Sequence, residues 1–287
     1  MADMIRPDGS LPYIGDICPD IESRYLTGLL AIGAVLFRRG DFKRPEGINE
    51  HAIWYLGVPG LRQYEALPAD LPEVWAHNFA RGGLVALGYR REDGNAHVLL
   101  HADPLGQVVF HGDMSPMGVD VWMNDRSVIR DTGNYSYNRD AWWEYFKSPL
   151  AQNTVVVDGV SPWPAAACRR WLPPAYCAVE AGTAAHVGAG GTLLGEAWHS
   201  GYHRLPSPLR HRRQIRLYPP QGLLITDLLE GAGTHTVEIF FHLGPGRAEL
   251  DEDLVRLVSE DGLRTAWIWL HSALPLTADL VEGWVAT

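Results

Sequence analysis

Leu84-Val85-Ala86-Leu87 and His97-Val98-Leu99-Leu100 close the two ends of the stretch LVALGYRREDGNAHVLL, residues 84–100, around Glu92-Asp93-Gly94-Asn95. Two apolar runs flanking an Asp-Gly turn predict a β-hairpin, because Gly accepts the positive φ that tight hairpin turns require. The same period of two recurs downstream. Val119, Val121 and Met123 alternate with Asp120, Trp122 and Asn124. Residues 214–218 and 223–226 flank a Pro-Pro-Gln-Gly turn, and Val237, Ile239, Phe241 and Leu243 form a one-sided strand. Residues 256–258 and 266–270 bracket Glu260-Asp261-Gly262. Many short strands at this spacing, without helices between them, predict a mainly β chain built as an antiparallel β-sandwich over residues 76–287.

Upstream the period changes. Residues 21–37 (IESRYLTGLLAIGAVLF) place Leu26, Leu29, Leu30 and Val35 near helical spacing, with Asp20 as N-cap and Gly40 as stop. A second helix is predicted over residues 49–56, ended by Gly57 and Pro59. Residues 1–75 therefore form a short helical segment. Two helices with this much apolar surface form no core alone, so docking onto the sandwich is expected, with weak self-association through any residual face.

The composition is globular, with 46% hydrophobic and 20% charged residues, which excludes a disordered or coiled-coil chain. A net charge of −10 argues against a nucleic-acid surface. The first ten residues, MADMIRPDGS, lack an apolar signal core, and residues 26–37 are too short to span a bilayer. No membrane insertion is expected. The compartment stays open: periplasmic for a piece of an exported parent, cytoplasmic otherwise. Cys18, Cys168 and Cys177 have no CxxC spacing, which leaves a Cys168–Cys177 disulfide or buried free thiols.

Residues 105–159 concentrate the chemistry: LGQVVFHGDMSPMGVDVWMNDRSVIRDTGNYSYNRDAWWEYFKSPLAQNTVVVDG. His, Asp, Asn, Tyr and Trp crowd between short strands, the character of a polysaccharide site, where aromatic faces meet sugar rings and amides meet hydroxyls. No GxSxG, P-loop or HExxH motif is present.

This block resembles the C-terminal half of the heparinase II/III-type polysaccharide lyases. The family carries H-x-H-x-D, D-x-G-x-x-x-Y and Y-F-R-S-x-x-H-N-T-V-x-V-D-G elements. His111 falls on the first histidine, Asp113 on the second and Ser115 on the aspartate. Asp131-Thr132-Gly133-Asn134-Tyr135-Ser136-Tyr137 follows the second element. Tyr145-Phe146-Lys147-Ser148 through Gln152-Asn153-Thr154-Val155-Val156-Val157-Asp158-Gly159 follows the third, with Gln152 in place of histidine. Pro7-Asp8-Gly9-Ser10 and Gly15-Asp16 look like the last helices of the family's α/α toroid, which makes residues 1–75 a toroid remnant.

The resemblance implies a metal held at the positions of Asp113, Asp131 and Gln152. Two carboxylates and an amide oxygen are hard ligands that suit Ca2+ or Mg2+ better than Zn2+. The alternative is a hydrogen-bonded polar cluster without metal. The implied reaction is β-elimination on a uronate-containing acidic polysaccharide, with His111 as base, acid or carboxylate partner and Tyr137 protonating the leaving group or bonding the sugar. Either side chain is equally a loop anchor. Trp142, Arg139 and Asn153 are candidate substrate contacts; as neighbours on a strand, Trp142 and Trp143 would face opposite ways. The run Arg210-His211-Arg212-Arg213 is expected to be an exposed strand end, and His97, His101, His199, His203, His235 and His242 are expected to be structural. Two rivals remain: a carbohydrate-binding or structural β-domain without turnover, and a capsule or lipopolysaccharide processing protein on the same scaffold.

Overall fold

In the computed structural model, which describes residues 2–14, 22–44, 47–102, 116–135, 141–163 and 180–281, the hairpin of residues 84–100 is the centre of a five-stranded sheet. Its strands β1 (Val74–Phe79), β2 (Leu84–Arg91), β3 (Gly94–His101), β4 (Gly118–Met123) and β5 (Arg126–Ile129) are antiparallel and lie in chain order. Arg91 pairs with Gly94, so Glu92-Asp93 is the turn itself. After β6 (Val155–Val157), the strands β7 (Ala181–Val187), β8 (Leu193–His199), β9 (Leu209–Tyr218) and β10 (Gly222–Gly231) make a second sheet in the order β10-β9-β8-β7. β11 (Val237–Ile239) returns to pair with β6, and β12 (Arg247–Asp251), β13 (Leu254–Val258) and β14 (Thr265–Trp269) form a three-stranded sheet.

The two large sheets face each other across one core. Leu87 lies opposite Val98, and Val98 opposite Val121, so one row of side chains crosses three strands. That row meets Leu193, Ile215 and Leu217 of the second sheet, all fully buried. Burying each such side chain stabilises the fold by about 1.5–3 kcal/mol. Gly195 sets the closeness of the sheets: a Cβ there would lie 2.9 Å from Val85 Cγ1 and 3.1 Å from Leu87 Cδ1.

The other face of the five-stranded sheet departs from the expected alternation. Asp120 and Trp122, which a one-sided strand would leave in water, are 1% and 8% exposed. The cause is the N-terminal segment, which lies over them. Arg6 donates to both carboxylate oxygens of Asp120 at 3.0 and 2.6 Å, and its guanidinium sits 5.8 Å from the Trp122 ring centre. His97 Nε2 donates to the Asp3 carbonyl at 2.7 Å.

Helices α1 (Glu22–Phe37) and α2 (Glu50–Ala66) pack as a pair, Ala31 and Ala34 against Ala52 and Tyr64. Asn49 caps α2, its side chain accepting from Ala52 N at 3.1 Å. Helical backbone breaks at Gly57 (φ 62°, ψ −173°), as the predicted end after Leu56 required, and a second helical stretch then continues to Ala66. Pro59 then suits the start of the next turn, where its missing N–H costs nothing. Leu30 packs on Ile5 and Leu11, and among the described residues no strand residue joins either helical cluster. The helices thus reach the sandwich through the N-terminal segment. Leu29, Leu36 and Phe37 on α1, with Trp54, Tyr55 and Val58 on α2, remain exposed. Among the described residues no helix is long and apolar enough to cross a membrane.

Candidate functional site

Asp131 follows β5 on the covered face of the first sheet and is 3% exposed. Its Oδ1 accepts from Gly133 N at 2.9 Å, a local turn that Gly133 permits with φ 77°. Burial pushes this carboxyl up to about 7, against the opposing Gly133 hydrogen bond. His101 Nε2 lies 4.0 Å from Asp131 Oδ2, and burial pushes the imidazole down to about 4. A low-dielectric pocket disfavours the charged form of both groups, so near neutrality the imidazole is uncharged and the carboxyl holds its proton readily. The Arg6–Asp120 ion pair forms on the same face.

A second segment meets this one. Thr132 Oγ1 donates to the Ala151 carbonyl at 2.7 Å, which ties the stretch carrying Asp131 to the turn carrying Gln152. Gln152 is fully buried; its Nε2 donates to Phe146 O at 3.1 Å, while its Oε1 has no hydrogen-bond partner. A buried acceptor left unmade costs about 1–3 kcal/mol, so this oxygen is a candidate ligand atom. As metal ligands, a carboxylate from Asp131 and an amide oxygen from Gln152 would be hard donors of the kind that Ca2+ or Mg2+ takes. The third implied ligand, Asp113, lies outside the described residues, as do His111, Ser115, Tyr137, Arg139 and the three cysteines.

Asn153 is a brace. Its Nδ2 donates to Val119 O at 2.9 Å and Arg130 O at 2.8 Å, and its Oδ1 accepts from His242 N at 2.6 Å. With both donors and the carbonyl committed at 2% exposure, it presents nothing to a sugar. Trp142 and Trp143 sit on a helix, α3 (Ala141–Lys147), not on a strand. Trp143 is buried; Trp142 is 40% exposed and lies 5.8 Å from the ring of Tyr135, itself exposed. Those two rings form an open aromatic surface.

The run at residues 210–213 is not an exposed strand end. His211 and Arg213 are fully buried because β9 alternates and sends every second side chain inward. Arg213 grips Asp227, its register partner on β10, at 2.8 Å through both Nε and Nη2. Its Nη1 donates to Met117 O at 2.6 Å and Asn153 O at 2.5 Å, the backbones that lead into β4 and leave Gln152. Behind it, His199 Nδ1 accepts from Gly201 N, which places the proton on Nε2 facing His211 Nδ1 at 3.3 Å; His211 Nε2 then donates to Asp227 at 2.7 Å. Burial lowers both imidazoles. For Asp227 burial works upward, but the Arg213 charge and the hydrogen bonds from His211 and Arg213 hold the carboxyl well below the usual range. Only the inward phase of β9 in the sequence marked this network, and it needed a partner strand to be read.

A cavity of about 340 Å³ opens on the covered sheet face beside His97. Arg6, Arg39, Arg44, Arg90 and His77 line it together with Asp3, Asp41 and Asp70, and Trp75 is an apolar wall; Arg39 pairs with Asp41, His77 with Asp3 and Arg6 with Asp120. His97 and His101 lie on the same side of β3, two register positions either side of Leu99, so this cavity and Asp131 share one surface.

The chain matches solved structures along most of its length. The heparinase III BT4657 gene product is 17% identical, with a TM-score of 0.66, over 91% of this chain and 36% of that one. Heparan sulfate lyase HepC from Pedobacter heparinus is 16% identical, with a TM-score of 0.65, over 91% and 36%. A further heparinase III structure is 13% identical, with a TM-score of 0.66, over 90% and 38%. The chain thus spans little more than a third of the proteins it resembles, and at these identities the likeness shows the fold. No curated protein matches the sequence. The family model described as heparinase II/III-like, C-terminal, matches residues 76–287, the whole of the β-rich part, and the chain belongs to that family.

Proposed function

We propose that this chain is the β-rich portion of a polysaccharide lyase that cleaves a uronate-containing acidic polysaccharide by β-elimination. The observation that carries the reading is the family match over residues 76–287. In such a reaction a base removes the C5 proton, the electron pair forms the C4–C5 double bond, and the glycosidic C4–O bond breaks as its oxygen takes up a proton. The uronate carboxylate must be neutralised for the C5 proton to leave.

In this reading Arg90, on the wall of the 340 Å³ cavity, receives the carboxylate. His111 and Tyr137 carry the proton transfers, and Trp142 with Tyr135 offers a face for a sugar ring. Asp113, Asp131 and Gln152 would hold a divalent cation, Ca2+ in preference to Zn2+, whose charge would fix the two loops beside the substrate. This chain holds only part of the active site, so alone it is expected to be inactive or nearly so. The test is incubation of the intact parent protein with a panel of uronate polymers, with and without Ca2+, following the ultraviolet absorbance of the unsaturated product. Absorbance that grows with wild type and is lost in His111→Ala supports the reading; a flat trace with every polymer, Ca2+ present, refutes turnover. A second reading, a glycan-binding domain without turnover, is favoured by the amide at Gln152 where the family has histidine, and the flat trace is its expected outcome.

A further inference from the structure

The three-stranded sheet has two faces of opposite character. Inward, Leu257, Ala248, Ala266 and Ile268 join the core. Outward, β14 presents Trp267 and Trp269, 54% and 71% exposed. Across the strands Trp267 lies opposite Arg256, which lies opposite Glu249; Trp269 lies opposite Leu254. The Arg256 guanidinium is 5.8 Å from the Trp267 ring centre and donates to Glu249 at 3.2 Å, while Arg247 pairs with the other Glu249 oxygen at 2.9 Å. At the Trp269 end, where Leu270 N donates to Asp253 O, a cavity of about 270 Å³ is lined by Glu252, Asp253, His271 and Ser272.

We propose that this outward face is a second glycan-binding site, on a different sheet from the cleft beside His97, on which pyranose rings of a polysaccharide chain stack against Trp267 and Trp269. It rests on the lyase reading only for the ligand class. Residues two apart on a strand stand about 7 Å apart on one face, so the indoles can serve successive rings. The C–H face of a pyranose is weakly positive and meets the negative face of indole. The adjoining row offers guanidinium donors beside carboxylate acceptors, the pairing that hydroxyls need, since each hydroxyl both donates and accepts. Three strands spaced about 4.8 Å apart present a platform far below the roughly 800 Å² per partner that a stable protein interface buries. It suits two or three sugar rings.

Arg247 and Arg256 share the single Glu249 carboxylate, which leaves a net charge of only one on the row, so stacking contributes most to holding the glycan. The experiment is calorimetric titration of the 287-residue chain with cellohexaose, a heparan sulfate hexasaccharide and an alginate hexasaccharide. At least one is expected to bind, with affinity falling about tenfold in Trp267→Ala and again in Trp269→Ala. The urea midpoint should stay at the wild-type value in both, and added salt should change the affinity little. No binding by any of the three, or binding undiminished in the double tryptophan variant, overturns the platform. Binding lost in Arg90→Ala but kept in the double variant belongs to the cleft and also overturns it. Loss in the tryptophan variants, with no product from any uronate polymer by the intact parent protein, supports the platform and counts against the lyase reading alone.

Discussion

Replacing Arg213 by methionine removes a guanidinium that is fully buried and fully committed. Two of its bonds go to Asp227, at 2.8 Å each, and two to the carbonyls of Met117 and Asn153. Breaking a buried ion pair from one side costs about 3–5 kcal/mol, because the remaining charge has lost its partner. Two abandoned carbonyls add about 1–3 kcal/mol each before relaxation, and His211 still donates to Asp227, which recovers part of it. A net loss of about 5 kcal/mol follows, at least a third of the stability of an ordinary domain. Urea unfolding should show the midpoint falling by roughly 1.5–2 M. Arg213→Met combined with Asp227→Leu should be less damaging than Arg213→Met with Asp227 retained, with a coupling of about 2–3 kcal/mol. Arg213→Lys keeps the charge but loses the planar fork, and should fall between. A methionine variant within about 1 kcal/mol of wild type would refute the reasoning, since nothing that small can come from a buried pair and two carbonyls.

Acid should destabilise the fold. His199 and His211 are buried with lowered pKa values, so the unfolded chain binds protons first, and stability present above about pH 6.5 is lost as pH falls below it. His101 acts in the same direction, by about 3 kcal/mol between its ordinary value and its folded value of about 4. Asp131 runs the other way, losing stability as pH rises toward its folded value of about 7, so His199 and His211 decide the net sign. Thermal midpoints at pH 7 and pH 5 check this, and a higher midpoint at pH 5 would be the contrary result. Leu30→Glu places a charge among Ile5 and Leu11 and should cost more than about 3 kcal/mol, whereas Leu29→Glu, 51% exposed, should cost under about 0.5 kcal/mol by the same denaturation assay. Equal losses would mean that α1 is rotated. Gly88→Ala sets a Cβ 2.0 Å from Trp75 Cζ2 and 2.7 Å from the Ala96 carbonyl, and should lower stability by about 1–3 kcal/mol; an unchanged midpoint would contradict the close strand packing.

The sandwich was legible because its signals are local. The turn at Glu92-Asp93 and the apolar rows of β2 and β3 need only their own residues to be read. Asp131 and Gln152 were singled out by motif spacing, and the structure shows both buried. Asp120 and His101 were not. Each looks like the solvent-side half of an alternating strand, and only Arg6, 114 residues from Asp120, makes that half an interior. Arg213 was hidden for the same reason: its partner, Asp227, is supplied by the neighbouring strand. Pairings between distant segments leave no period in a sequence, and a buried charge reads like an exposed one until its counter-charge is placed.

The Arg6–Asp120 pair also sets an order of events during synthesis. The segment that carries Arg6 is made 114 residues before its acceptor. At roughly 5–20 residues per second, that leaves an interval on the order of ten seconds. Through it α1 and α2 emerge beside Ile5 and Leu11, but the sheet on which that segment lies is not yet complete. Whatever shields them in that interval acts on a nascent chain, and slow codons placed before residue 120 would lengthen the exposure.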